Sequence, residues 1–252
     1  MTVLAKFLRS VNDILTTLLL WTYFLFGYII FFSPFYILNT FFSKNQERSF
    51  QALNHFFYKG FFLWARFLIP RLKIKIQDNV RTIRSSVIVC NHLSYLDPIL
   101  LISIFKKQRT IVKSIFFNVP IFGNVLTISG YIPSDASGDL SSILIDSMDT
   151  MKEFIASGGN LFVFPEGTRS RDGSLGEFSK GAFRIARHCK ASIKVLQIKD
   201  TNQLFQPGRF FFHTLDKIRI EVNLIGTIEP DYKSTDSSVT SLMRQVRTIF
   251  EN

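Results

Sequence analysis

Charge is what this chain has least of. Asp, Glu, Lys and Arg together make up 19% of its 252 residues, and from Ile14 to Ser43 there is no Asp, Glu, Lys, Arg or His. With 47% of residues hydrophobic, that scarcity excludes a disordered chain or a coiled coil. Cysteine is scarcer still: Cys90 and Cys189 lie far apart without metal-like spacing, which points to reduced thiols rather than a disulfide or a zinc site. Repeats and low-complexity tracts are absent. Acidic residues number 19 against 30 Lys and Arg, and the resulting net charge of +11 favours anionic partners such as nucleic acid, an anionic membrane surface, or an acidic or phosphorylated substrate. Phenylalanine is in excess. Its 28 copies suit a protein that meets lipid or holds a hydrocarbon tail better than an ordinary soluble domain.

The length fits one α/β domain with an appendage. At about 1.5 Å per residue, a helix spanning the uncharged run reaches roughly 45 Å, more than a ~30 Å hydrocarbon core. Pro34 is expected to break it, with Ile14 to Phe32 crossing or lying deep in a bilayer, a turn at Ser33-Pro34, and Phe35 to Phe42 continuing at shallower depth. The run is too long for a signal peptide and has no Ala-x-Ala site. Next, Arg48, Gln51, His55, Lys59 and Arg66 recur near helical spacing among Phe50, Leu53, Phe56, Phe57, Phe61, Trp64, Phe67 and Leu68. This pattern predicts a helix lying at headgroup level, with a helix packed on a soluble core as the alternative. Residues 1–70 therefore read as a helical membrane anchor and 71–252 as a second domain. The basic Arg71, Lys73 and Lys75 place that domain on the cytoplasmic face.

From Leu72 onward, strands alternate with helices. Leu72–Ile76 reads as an edge strand, while Val87–Cys90 and Leu161–Phe164 are continuous apolar runs typical of buried strands. Strands are also expected near Thr110–Val112, Tyr131-Ile132, Ile193–Ile198 and Ile218–Leu224. Helices are expected from Asp97-Pro98 to Phe105, along Leu140, Ile143, Leu144, Met148, Met151 and Ile155 to Gly158-Gly159, from Gly181 to Cys189, and from Asp236 to Phe250. The fold class is α/β, a mixed, largely parallel sheet flanked by helices.

Two loops at strand exits carry reactive groups, as α/β folds commonly arrange. Asn91-His92-Leu93-Ser94-Tyr95-Leu96-Asp97 follows the first buried strand. Five residues on a regular helix would point His92 and Asp97 apart, so their contact requires His92 in the loop and Asp97 in the first helical turn. The carboxylate can then hold one ring nitrogen and leave the other basic. Asp97 acting only as a helix cap is the alternative. Pro165-Glu166-Gly167-Thr168-Arg169-Ser170-Arg171 follows the second buried strand and combines a carboxylate, a permissive glycine, hydroxyls and guanidinium groups suited to phosphate. Lys113, at a strand end, reads equally as a phosphate contact or a solvated side chain. Cys90 reads as a small buried residue rather than a nucleophile. His55 and His188 read as polar-face residues, and no metal-binding set is evident. Lys180, Arg184, Arg187 and Lys190 form a basic helix face, open to an acidic carrier protein, to CoA phosphates or simply to solvent.

In this order and spacing, Asn91-His92-(four)-Asp97, then Lys113 with Pro120-x-Phe122-Gly123, then Phe164-Pro165-Glu166-Gly167-Thr168-Arg169-Ser170, the chain resembles the glycerolipid acyltransferases typified by 1-acyl-glycerol-3-phosphate O-acyltransferase. The resemblance covers roughly Lys73 to Leu224. It implies that His92 is the general base and Asp97 its orienting partner. It further implies that Asn91, Lys113, Glu166, Gly167, Thr168 and Arg169 serve substrate binding, Lys113 and Arg169 near phosphate. The implied donor is acyl-CoA or acyl-carrier protein as co-substrate with no cofactor, and the implied partner is a membrane-resident lysolipid. Where this family commonly carries an Arg after the segment matching Gly130-Tyr131-Ile132, the chain has Pro133-Ser134-Asp135-Ala136-Ser137. Lysophosphatidate, another lysolipid acceptor, and a non-catalytic membrane scaffold are the competing readings. A nucleic-acid role has no recognition module behind it.

Overall fold

Burial along the strands separates the middle of the sheet, buried throughout in Ser86–Cys90 and Asn160–Val163, from its edge at Leu72–Ile76, where it alternates. In the computed structural model, which describes residues 3–134, 150–170, 174–214, 216–234 and 237–252, seven strands form one sheet. They are β1 (Leu72–Ile76), β2 (Ser86–Cys90), β3 (Gln108–Val112), β4 (Ile132–Pro133), β5 (Asn160–Val163), β6 (Ser192–Lys199) and β7 (Ile218–Ile228), in the order β1-β7-β6-β2-β5-β3-β4. Every neighbouring pair is parallel except β6 and β7. β2 lies in the middle, with Val87 opposite Leu161 on one side and Ile193 on the other. All five of its residues are buried, as both faces of a parallel sheet require.

The two faces bury different clusters. Ile88, Cys90, Phe162, Leu196 and Ile198 point to one side, where they meet α3 (Gln46–Leu68), α4 (Asp78–Arg81), α5 (Leu96–Ile104), α6 (Phe122–Ile128) and α9 (Thr201–Leu204). Val87, Val89, Leu161, Val163, Ile193 and Val195 point to the other, under α7 (150–156), α8 (Gly181–Cys189) and α10 (Val239–Glu251). Each fully buried Leu, Ile or Phe contributes about 1.5–3 kcal/mol. The expected helix through Met151 and Ile155 ends before Gly158. Its Leu140, Ile143, Leu144 and Met148, like Asp135 to Ser137, Arg171 and Asp236, lie outside the described residues.

At the N-terminus, α1 (Val3–Thr22), a π-helical stretch (Tyr23–Phe32) and α2 (Ser33–Phe42) follow without interruption. Ser10–Phe42 is long and apolar enough to cross a membrane, and much of it is uncovered, with Phe31 67% and Phe42 80% exposed. The expected turn at Ser33-Pro34 does not form. The Ser33 N–H bonds Tyr28 O, five residues back, and the Ser33 hydroxyl takes Ile29 O at 2.5 Å. That carbonyl is the one Pro34, lacking an N–H, leaves unserved in the wider register, so the helix continues through the proline.

The polar stripe expected on α3 also divides. Lys59 and Arg66 are exposed, but Gln51 and His55 face the protein. Gln51 donates to Ser129 O at 3.0 Å, and His55 Nδ1 lies 3.0 Å from Ile102 O. Asn54 joins them by donating to Ser129 Oγ at 2.9 Å. These buried amides and the ring bind partners in the approach to β4 and in α5, so this side of α3 docks on the protein, while Phe56, Lys59, Leu63, Arg66 and Phe67 lie on the side left exposed. Burial lowers the His55 pKa from its ordinary value. Arg109 of β3, itself buried, reaches Glu47 of α3 through Nε at 2.8 Å and Nη2 at 2.9 Å, a two-pronged pair that fixes the same docking.

Candidate functional site

Parallel order brings four strand ends together. β2, β5, β3 and β6 all finish at one edge of the sheet, so His92, Glu166, Lys113 and Thr201 emerge there from four different loops.

The β2 exit folds tightly around one carboxylate. Asp97 is fully buried in the first turn of α5. Its Oδ2 accepts from Leu93 N at 2.6 Å, Ser94 N at 2.7 Å and His92 Nδ1 at 2.9 Å. Its Oδ1 accepts from the Thr201 hydroxyl at 2.5 Å. Two backbone donors and a hydroxyl keep the carboxylate in place, and the ring nitrogen facing it carries its proton there. Nε2 is thereby left as the nitrogen with a free lone pair. The His92 side chain is 14% exposed, and its ring stacks on Phe164 with centroids 4.2 Å apart. Asp97 does not cap α5, whose N-cap position is Tyr95; it bonds backward to the loop.

Thr201 was not anticipated from the sequence. It reaches Asp97 because Asp200, at the end of β6, takes the left-handed conformation with φ 64°, turning the chain into α9. Asp tolerates that conformation better than most residues, so an Asp-Thr pair directly after an apolar strand was the available signal. Ser94 ties the same region together by donating to Phe205 O at 2.7 Å.

The β5 loop clasps His92 at both ends of its peptide unit. Glu166 Oε1 accepts from His92 N at 3.3 Å, and Ser170 N donates to His92 O at 2.8 Å. The other Glu166 oxygen accepts from Gly176 N at 2.9 Å. Between them Gly167 adopts φ 64°, and Gly167 and Thr168 are exposed. Asn91 spends its amide on the backbone, donating to Ile198 O at 2.8 Å and accepting from Ile198 N at 2.7 Å, which extends the pairing of β2 with β6 by one side chain. Lys113 is exposed at the end of β3. Arg169 lies with Cζ 3.4 Å from the centre of the Tyr95 ring, and its Nη1 is buried without a hydrogen-bond partner among the described residues.

Following Lys113, Pro120-Ile121-Phe122-Gly123 makes a sharp turn. Phe122 N donates to Pro120 O at 2.7 Å across Ile121, which is forced to φ 66°. A side chain on Gly123 would put its Cβ 1.9 Å from Phe117 O, so only glycine fits. Cys90, one strand position before the loop, is fully buried, and burial together with the Asp97 carboxylate pushes its thiol pKa well above the usual range. The basic residues Lys180, Arg184, Arg187 and Lys190 are exposed on and around α8, beneath the opposite face of the sheet. His188 is exposed beside them, as expected.

The chain belongs to the Acyltransferase family, whose model matches residues 71–199. Among its relatives are two chloroplastic 1-acyl-sn-glycerol-3-phosphate acyltransferases. The one from Arabidopsis thaliana is 34% identical over 163 residues, covering 63% of this chain and 44% of the relative. The one from Brassica napus is 33% identical over 167 residues, covering 64% and 47%. The matched segment thus spans less than half of either relative. The crystal structure of the 1-acyl-sn-glycerophosphate (LPA) acyltransferase PlsC from Thermotoga maritima shares the fold, with a TM-score of 0.71 at 21% identity over 96% of each chain.

Proposed function

We propose that this protein transfers a fatty acyl group from a thioester to the free hydroxyl of a lysophospholipid, with 1-acyl-glycerol-3-phosphate as the acceptor and phosphatidate as the product. The observation that carries the reading is the orientation of His92: Nδ1 is held by buried Asp97, which leaves Nε2 as the nitrogen free to accept a proton. In the reaction, Nε2 takes the proton of the acceptor hydroxyl as its oxygen attacks the thioester carbonyl carbon. The tetrahedral intermediate collapses, the carbon–sulfur bond breaks, and the thiolate leaves with the proton from His92. Base catalysis of this kind contributes about 10²–10⁴-fold. No cofactor is needed beyond the two substrates. Arg169, with an unserved buried N–H, and Lys113 at the neighbouring strand end supply cations for the acceptor phosphate. Glu166 acts through the loop it braces, and Asn91 through the strand pairing it completes. Gly167 lets the Thr168 and Arg169 segment turn toward the substrate. The names of the plant relatives support the same acceptor.

The donor is acyl-CoA or acyl-carrier protein, with the basic α8 face available to either's negative charge. Residues 1–70 form the membrane anchor, and residues 71–252 work at the cytoplasmic surface. The exposed apolar side chains of α1 and α2 and the basic residues that follow, Arg66, Arg71, Lys73 and Lys75, support that placement. Purified protein offered labelled acyl-CoA or acyl-carrier protein with a panel of lysolipids tests the reading. Lysophosphatidate should be acylated and a phosphate-free monoacylglycerol left untouched. Equal use of both would remove the phosphate from the specificity, and no transfer to any acceptor would leave only the scaffold.

A further inference from the structure

The sequence Ser94-Tyr95-Leu96 lies inside the loop that holds the reacting imidazole, yet the chemistry above gives Tyr95 nothing to do. It is 52% exposed, and its ring lies under a guanidinium. Cζ of Arg169 is 3.4 Å from the ring centroid. Were the guanidinium edge-on, one of its nitrogens, about 1.3 Å from Cζ, would be driven well inside van der Waals contact with the ring carbons. The two planes therefore lie face to face. In that arrangement the guanidinium N–H groups point outward in its own plane and none is spent on the ring. Nη1 is buried, and no described group accepts from it. A buried charged donor without an acceptor is costly, and its presence points to an anion that completes the site.

We infer that Tyr95 is a positioning residue. Its ring is a platform that holds Arg169 flat, so that the guanidinium edge presents two parallel N–H donors to the phosphate of the acceptor. This rests on the acyltransferase reading and adds to it the group that orients the phosphate contact. The backbone supports both partners: Tyr95 directly precedes α5, and Arg169 directly precedes Ser170, whose N–H is bonded to His92 O. The platform is itself braced, since Tyr95 leans on Phe205 (6.3 Å between centroids), Phe205 stacks on Phe212 (4.5 Å), and Trp21 of α1 meets Phe205 at 6.4 Å. A continuous line of rings thus runs from the N-terminal helix to Arg169.

The test compares Tyr95→Phe and Tyr95→Leu in the full-length chain in mixed micelles, with matched thermal melting as the folding control. Phe keeps the aromatic face and Leu removes it, so Tyr95→Leu should raise KM for lysophosphatidate roughly threefold to thirtyfold with kcat little changed, while Tyr95→Phe stays near wild type. An unchanged KM in Tyr95→Leu, equal losses in both variants, or a fall in kcat alone would overturn the platform. If the wild-type chain acylates no phosphate-bearing acceptor, the acyltransferase reading fails separately. Calorimetric binding of glycerol 3-phosphate then decides the platform: weaker binding to Tyr95→Leu than to wild type supports it, and equal binding or none to either chain overturns it.

Discussion

Thr201 and His92 come from loops more than a hundred positions apart, yet they meet on the same carboxylate, Thr201 on Oδ1 of Asp97 at 2.5 Å and His92 on Oδ2 at 2.9 Å. The hydroxyl uses the oxygen that the imidazole does not. It therefore sets the rotation of the carboxylate about its own axis, and with it the direction in which the ring is held.

Thr201→Val removes that donor and keeps the shape. A hydrogen bond to a charged group contributes about 1.5–3 kcal/mol, so stability should fall by that order in a denaturant titration. The rate of acyl transfer should fall about tenfold or more, as a carboxylate free to rotate holds the imidazole less well. Thr201→Ser should restore both. A Val variant with wild-type rate would mean that the backbone N–H groups of Leu93 and Ser94 suffice to hold Asp97.

Cys90 sits one position from Asn91 and two from His92, so a thiol-based mechanism has to be distinguished from the one proposed. Burial and the Asp97 charge push its pKa up, leaving it a protonated thiol at neutral pH. Cys90→Ala should retain activity within a few-fold, and N-ethylmaleimide should add to Cys90 slowly in the folded chain near pH 7.5 and rapidly only after unfolding. Rapid modification with loss of activity in the native chain would contradict this.

The sheet and the reactive loops were largely legible in the sequence because each rests on a local pattern. Val87–Cys90 and Leu161–Val163 are apolar on every position, as strands buried on both faces must be, and His92 to Asp97 spans a strand exit into a helix start. What escaped depended on tertiary partners. His55 and Gln51 have the spacing of a solvent stripe, and it is the carbonyls of Ile102 and Ser129, on other elements, that draw them inward. Pro34 signals a break by itself, but the π register upstream and the Ser33 hydroxyl carry the helix past it. Thr201 has only the Asp-Thr pair after an apolar strand as its local sign, and that pair marks the turn without naming the partner in another loop. Lys113 and Arg169 could be placed at strand ends, but the stacking of Arg169 on Tyr95 is a relation between two loops that no spacing within either one encodes.

The docking of α3 carries a pH dependence. His55 has a lowered pKa in the folded chain, so the unfolded chain binds the proton more readily. The stability is fully present above the unfolded value of about 6.5 and is lost as pH falls from there toward the folded pKa. Wild-type protein should therefore lose unfolding free energy between pH 7 and pH 5 faster than His55→Asn, measured by denaturant titration in the same detergent. Parallel curves for the two chains would show that His55 does not report on this packing.

Removing the imidazole tests the central claim most directly. His92→Ala should remain folded and bound to vesicles, and the initial rate of acyl transfer to lysophosphatidate should drop at least about a hundredfold with little change in KM. A variant that keeps wild-type turnover would contradict the account, because the imidazole is the group it assigns to take the hydroxyl proton.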